Sequence, residues 1–242
     1  VEVELVRSPG LRGMLRPSLR YLSDGMDPFG AQALDMPLPQ LEWGMNWSFA
    51  SLFNQYLLLH AGTLEIDGHG LLLIGEPGSG KSTLTAALAL AGARALSDEF
   101  GVLRPADGKL LPIPKPVALK NRSIDLIRSW SADAVIGPTY HNTHKGDVAH
   151  LAMPRASAEA RSVPATPRAI VFPTWAEDAS TTLEPVGLAE AFGLVAGNSF
   201  NFPTTGEQGF DAVEALVRRC TCHRMRFSRL DDALDTLREL CR

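Results

Sequence analysis

Cysteine is scarce. The 242-residue chain has three, Cys220, Cys222 and Cys241. An odd, clustered set excludes a disulfide framework of the kind that holds small secreted domains together. Cys220-Thr221-Cys222 alternates as a strand would, with both thiols on one face, and the plain reading is a reduced, partly buried strand. Positive charge is not in excess. The formal net charge is −4, which leaves no electrostatic footprint for nucleic acid or an anionic membrane. No apolar run is long enough to cross a bilayer. No signal-peptide pattern opens the chain, so cytoplasm is the expected compartment. The chain opens on Val1 rather than Met, which leaves room for residues upstream. Internal repeats and low-complexity segments are absent. At 45% hydrophobic and 21% charged, the composition supports a sizeable core.

What is present centres on Gly75-Glu76-Pro77-Gly78-Ser79-Gly80-Lys81-Ser82-Thr83, which fits G-x-x-x-x-G-K-[ST] at every fixed position. Leu71-Leu72-Leu73-Ile74 precedes it and reads as a buried strand. A helix-forming run, Leu84 to Ala91, follows. Strand, glycine-rich loop and helix together make this pattern a nucleotide site. Gly75, Gly78 and Gly80 are expected to permit φ > 0 and close approach to phosphate oxygens. The loop N–H groups and the helix N-terminus then face the anion. Lys81 supplies a point charge to the outer phosphates, and the Ser82 hydroxyl is placed for Mg²⁺. Guanine-reading N-K-x-D and transporter-type L-S-G-G-Q are both missing, which counts against those ATPase and GTPase classes.

Around the loop, residues 1–44 read as short strands and loops, with a main unit over 45–242. Val1 to Val6 alternates like a strand, and Arg12 to Leu22 reads as a second one. Met45 to His60 has helical spacing, with Asn46 as its cap. Thr63 to Gly70 reads as a strand entering a tight turn at Asp67-Gly68. Gly92 stops the loop helix. Arg94 to Leu103 reads as a strand with two acids, Asp98-Glu99, at its end or bend. A phosphate loop needs an acid to handle Mg²⁺ or activate the nucleophile, and these stand nearest in sequence. The single crossover between them and the loop suggests parallel pairing of 71–74 with 94–98. Prolines 112, 114 and 116 suit an edge strand or extended segment. Ser123 to Trp130 reads as a short helix, and 131–167 as loop-rich.

Further on, Ala169 to Phe172, Thr181 to Val186 and Cys220 to Phe227 read as strands. Leu188 to Val195, Gly209 to Arg219 and Leu230 to Leu240 read as helices. His141-x-x-His144 and His150 raise zinc, yet no cysteine or acid completes a set at usual spacing. Lys145 in its loop could cover the γ-phosphate or be a solvated loop lysine.

Several stretches together resemble the HPr kinase/phosphorylase superfamily, in particular the bacterial HPr kinase-related kinases of type A. They are Trp43-Gly44-Met45-Asn46-Trp47, Leu59-His60-Ala61-Gly62, the phosphate loop, and Leu96-Ser97-Asp98-Glu99-Phe100-Gly101. Leu119-Lys120-Asn121-Arg122-Ser123-Ile124 and Lys145-Gly146-Asp147-Val148-Ala149-His150-Leu151 continue the series. The resemblance implies an α/β fold: a phosphate-loop (Walker A) domain related to that of phosphoenolpyruvate carboxykinase, with a mixed sheet and flanking helices. It implies ATP and Mg²⁺ as cofactors. It implies Asp98 as general base, His60 beside it, and Lys81 and Ser82 on phosphate and metal. The family's second aspartate is here Glu99, for which Mg²⁺ is the expected role alongside Asp98 and Ser82. That family also has a basic segment that contacts phosphate, for which Lys145, then Arg122 and Lys120, are the candidates here. The implied activity is serine phosphorylation of a protein or ribosomal peptide, with a small-molecule hydroxyl, an ATPase or a nucleotide-dependent switch as alternatives. Neither nucleic acid nor membrane is implied as a partner. Rings of HPr kinase leave room for a homo-oligomer. Phosphorolysis is not carried over.

Overall fold

The computed structural model describes residues 1–242, the side chain of Arg12 excepted. The chain divides into two units, Val1–Phe53 and Asn54–Arg242. The boundary expected between 44 and 45 falls inside a helix.

The first unit holds β1 (Val3–Arg7), α1 (Gly10–Leu15), β2 (Ser18–Ser23), β3 (Gln32–Ala33) and α2 (Pro37–Leu52). Its three strands form an antiparallel sheet in the order β1-β2-β3. Strand β2 alternates between half-buried and buried positions, and Tyr21 is its centre. The Tyr21 ring lies against Gly44 of α2, and its hydroxyl meets Ser48 Oγ at 2.8 Å.

The helix expected over Met45 to His60 is displaced. Helix α2 begins at Pro37, with proline in its first turn, and ends at Leu52, so Asn46 is an interior residue and not a cap. Proline is tolerated in a first turn, where its missing N–H has no intrahelical partner to lose. Leu57-Leu58-Leu59 is buried throughout. A strand covered on both faces loses alternation and mimics a helix in sequence.

The second unit opens with β4 (Leu57–Ile66), β5 (His69–Ile74), α3 (Lys81–Leu90), β6 (Arg94–Ser97), β7 (Phe100–Arg104), β8 (Lys109–Leu111) and β9 (Val117–Lys120). Then come α4 (Arg122–Trp130), β10 (Tyr140–Thr143), β11 (Gly146–Leu151), α5 (Arg155–Glu159) and β12 (Pro167–Trp175). It closes with β13 (Thr182–Pro185), α6 (Leu188–Gly197), α7 (Phe202–Arg219), β14 (Thr221–Phe227) and α8 (Leu230–Cys241). This is a mixed α/β fold. Eight strands form one sheet, β13-β14-β12-β5-β4-β7-β8, with β6 also on β4. Pairs β12–β14 and β12–β5 are parallel, whereas β4 is antiparallel to β5, β6 and β7.

The expected pairing of 71–74 with 94–98 is not what forms. Strand β4 lies between them, and β5 has β4 on one edge and β12 on the other. The Asp67-Gly68 turn closes β4 on β5 at little entropic cost. The crossover through α3 must then land beyond β4. Strands β5 and β6 still run in the same direction.

Alternation divides the core. Leu64, Leu71, Leu73, Val171 and Phe227 face α3 and α8 through Leu84, Leu88, Leu234 and Leu237. Leu59, Leu72, Ile74, Ile170 and Phe172 face α6 and α7 through Val195, Val213 and Leu216. The stretch expected to be loop-rich, 131–167, contains the hairpin β10–β11 and α5. The hairpin joins β9 in a second antiparallel sheet, β10-β11-β9. Tyr140-His141-Asn142-Thr143 is a polar strand without apolar alternation, so its sequence reads as loop.

Candidate active site

The parallel strands deliver their carboxyl ends to one side of the sheet, where open α/β sheets bind ligands. The loop 75–80 leaves β5 there and enters α3. Gly78 and Gly80 take positive φ, 86° and 99°. Gly80 is also a close approach, since a Cβ there would stand 2.8 Å from the Phe227 ring at the end of β14. Gly75, expected to share the left-handed conformation, does not take it; it lies instead against the Ser79 side chain. The loop is tied to β12, because Trp175 N–H donates to Ser79 O at 3.1 Å. Glu76, Pro77 and Gly78 are exposed at the tip, and Ser82 and Thr83 are half-buried in the first turn of α3.

Lys81 is buried. Its ammonium donates to the carbonyls of Gly75 and, at 2.9 Å, Glu76, so it braces the loop from inside. Burial lowers its pKa, and the Asp98 carboxylate works in the opposite direction. Ser79 Oγ is buried without a hydrogen-bond partner. An orphaned hydroxyl just before a helix N-terminus suits a phosphate oxygen.

Asp98 lies 1% exposed at the carboxyl end of β6. The backbone bends between β6 and β7, with Glu99 at φ 74°. Strand β4 pairs with β6 on one side of the bend and with β7 on the other, so Gly62 faces the acids. A Cβ on Gly62 would stand 2.1 Å from Thr85 Oγ1 and 3.6 Å from Asp98 Oδ1. Close approach of α3 to β4 at this glycine therefore brings Asp98 to the first turns of the loop helix.

His60, expected at a helix end, is in β4 opposite Phe100. Its ring is half-buried and 5.6 Å from the Phe200 ring, which stacks on Phe100 at 4.5 Å. Its pKa is lowered, first by burial and then by the Lys81 charge, with Glu99 and Glu76 opposing. Lys120 acts on both Lys81 and His60.

Of the other basic residues, Lys145 Nζ stands 3.6 Å from Glu99 Oε1. Arg122 is elsewhere on this rim, 5.7 Å over the Trp175 ring. The structure thus gathers His60, Lys81, Asp98, Glu99, Lys120 and Lys145, and leaves Arg122 beside Trp175. Lys115 was missed in the sequence. Its Nζ lies 3.7 Å from Glu99 Oε2 and its side chain is 9% exposed. The signal was available in Pro114-Lys115-Pro116, where two prolines hold one lysine on an extended backbone.

The last two stretches of the resemblance are neighbours in space. Strands β9 and β11 pair, Asn121 N–H donates to Asp147 O at 2.9 Å, and Asp147 N–H donates to Asn121 Oδ1 at 3.1 Å. His141 Nδ1 meets Asp147 Oδ2 at 2.9 Å, and the Asp147 pKa is lowered by that contact. Lys120 and Lys145 are thereby carried by one hydrogen-bonded unit.

Among the described residues no group of three or more His, Cys, Asp or Glu is arranged to hold a metal by itself. Mg²⁺ needs no such cage, because it is usually bound by one or two protein oxygens together with phosphates and water. A helix-start hydroxyl, Ser82, and a buried carboxylate, Asp98, meet that requirement. No helix among the described residues is long and apolar enough to cross a membrane.

No protein-family model and no curated protein matches the chain. Among solved structures it is similar to the Hpr(Ser) kinase/phosphatase from Coxiella burnetii, at 13% identity and a TM-score of 0.32. That match covers 76% of this chain and 96% of that one. A likeness this low carries no weight for function.

Proposed function

We propose that the chain is an HPr kinase-like phosphotransferase that uses ATP and Mg²⁺ and moves the γ-phosphate to a hydroxyl, foremost a serine of a protein or ribosomal peptide. One observation carries the reading: a buried aspartate, Asp98, beside the phosphate-loop lysine, Lys81. A phosphotransferase needs such a carboxylate to accept the proton of the attacking hydroxyl.

In this reading the loop N–H groups and Lys81 hold the phosphates. Asp98 accepts the proton of the acceptor hydroxyl as that oxygen forms its bond to the γ-phosphorus. The bond from γ-phosphorus to the bridging oxygen breaks in line, and ADP leaves. Positioning and charge stabilisation supply most of the rate in this class. Ser82 would hold Mg²⁺, which when bound neutralises charge on the transferring phosphoryl. His60, its pKa lowered, stays neutral near pH 7 and adds no charge beside Lys81.

The test uses purified protein, γ-labelled ATP, Mg²⁺ and small proteins or peptides encoded beside its gene. Label on an acceptor hydroxyl that disappears in Lys81→Ala and Asp98→Asn, with nucleotide binding kept in Asp98→Asn, is expected. Transfer at the wild-type rate by Asp98→Asn would remove its role as base. Free phosphate with no labelled acceptor points to an ATPase, and binding without turnover to a regulatory module.

A further inference from the structure

The chain has five lysines and eighteen arginines. Four of the five lysines, Lys81, Lys115, Lys120 and Lys145, are at the phosphate loop and its acids. Exposed ion pairs elsewhere, such as Arg104–Asp107, Arg155–Glu159 and Arg218–Glu214, use arginine. An ammonium is a compact charge on a flexible stem and takes an anion from any side, whereas a guanidinium presents a fixed planar fork. The lysines come from separate segments and converge only through the fold.

Two of them close on one carboxylate. Glu99 Oε2 lies 3.7 Å from Lys115 Nζ and Oε1 lies 3.6 Å from Lys145 Nζ. Side-chain exposures are 17% for Glu99, 9% for Lys115 and 32% for Lys145, so this is not a surface pair. Glu99 also holds a left-handed backbone, φ 74°, which non-glycine residues adopt at a cost. The bend presents two adjacent acids to the lysines: Asp98 acts on Lys81 more strongly than Glu99 does, and Glu99 pairs with Lys115 and Lys145.

Two ammonium groups, each on one oxygen of a single anion, form an arrangement that a terminal phosphoryl group fits as well as a carboxylate does. We propose that Lys115 and Lys145 form a subsite for the terminal phosphate of a nucleoside triphosphate, and that Glu99 is the built-in anion that holds them until that phosphate displaces it. This rests on the ATP-dependent reading above. It assigns Glu99 to the lysines rather than to Mg²⁺ and adds Lys115 to the phosphate-binding set. The subsite distinguishes triphosphate from diphosphate, because only the former reaches it.

The experiment is calorimetric titration at fixed free Mg²⁺ with ADP and with the β,γ-imido analogue of ATP. Wild type, Lys115→Gln, Lys145→Gln and Glu99→Gln are compared, with thermal melts to verify folding. Each lysine variant is expected to weaken the triphosphate analogue by about tenfold and ADP by less than about twofold. Glu99→Gln is expected to tighten the analogue severalfold, with its Mg²⁺ dependence unchanged. Lys145 is the more exposed lysine, so its variant carries the test if Lys115→Gln fails to fold. Equal losses for ADP and analogue would overturn the proposal. So would an analogue affinity that falls in Glu99→Gln and recovers with added Mg²⁺, which returns Glu99 to the metal. Wild type binding neither nucleotide would bring down the ATP-dependent reading and this inference with it. Wild-type binding with an unchanged ratio in every variant overturns the inference alone.

Discussion

Gly62 is where helix, sheet and acid meet. An added Cβ would stand 2.1 Å from Thr85 Oγ1, whose hydroxyl donates to Lys81 O at 2.9 Å, and 3.6 Å from Asp98 Oδ1. Gly62→Ala should destabilise by about 1–3 kcal/mol, the usual cost of overpacking a filled core. Thr85→Ala removes the atom that is struck, so the double variant should lose less than the two single losses added together. Urea unfolding of the four proteins measures this; strict additivity would mean that the clash is relieved elsewhere. His60 makes a second residue-scale prediction. Its folded pKa lies below the ordinary 6.5, through burial and then the Lys81 charge. The unfolded chain therefore takes the proton first as pH falls. Stability from this group is present above 6.5 and is lost as pH drops through the window between 6.5 and the folded value. His144 and His223 are shifted in the same direction, so the wild-type slope is a sum. His60→Gln should flatten part of that slope in unfolding midpoints taken from about pH 8 to about pH 5. An unchanged slope would show that His60 is solvated in the folded state.

At the scale of elements, the hairpin β10–β11 depends on its ties to Asn121. Asn121 holds φ 51°, donates its N–H to Asp147 O and accepts the Asp147 N–H on Oδ1. Asn121→Ala removes the side-chain acceptor and leaves a strained backbone. Amide exchange across 140–151 should rise, and phosphate transfer should fall more than ADP binding does, because Lys145 loses its fixed position. Exchange unchanged in the variant would mean that β9–β11 pairing holds the turn by itself. This element also shows what sequence could not carry. The loop at 75–80 and the Asp67-Gly68 turn are written in contiguous residues whose φ and hydrogen bonds are local; the turn is found as read, and the loop takes positive φ at Gly78 and Gly80 but not at Gly75. The place of β6 is not local. It depends on β4 already occupying the edge of β5, which no residue between 94 and 98 encodes. Lys145 could be suspected from its loop, whereas its contact with Glu99 requires the chain to return 46 positions later. His60 lies near Lys81 and Glu99 but in β4 rather than at a helix end, since Leu57-Leu58-Leu59 is equally apolar as strand or helix.

For the whole molecule, charge and core are distributed on different plans. A net charge of −4 is combined with four of five lysines at one site, against the carboxylates Glu76, Asp98 and Glu99, so the site has a small local excess of positive charge. Anionic ligands are drawn to such a focus more strongly at low ionic strength. The two hydrophobic clusters of the larger unit contain no residue before Leu57. The smaller unit has its own buried centre in Tyr21, Ser23 and Ser48, held by hydroxyl contacts at 2.8 and 3.0 Å. A unit whose hydrophobic clusters are built, among the described residues, from its own side chains should fold by itself. The piece 54–242 is therefore expected to unfold cooperatively and to bind ADP within about threefold of the full chain, less than about 1 kcal/mol. Its transfer to a macromolecular acceptor is the separate quantity to watch. Loss of transfer with nucleotide binding intact would assign acceptor recognition to residues 1–53, whereas retained transfer would place it on the larger unit. A piece that neither folds nor binds ADP would show that the larger core is incomplete without the first unit, whatever the burial of its side chains.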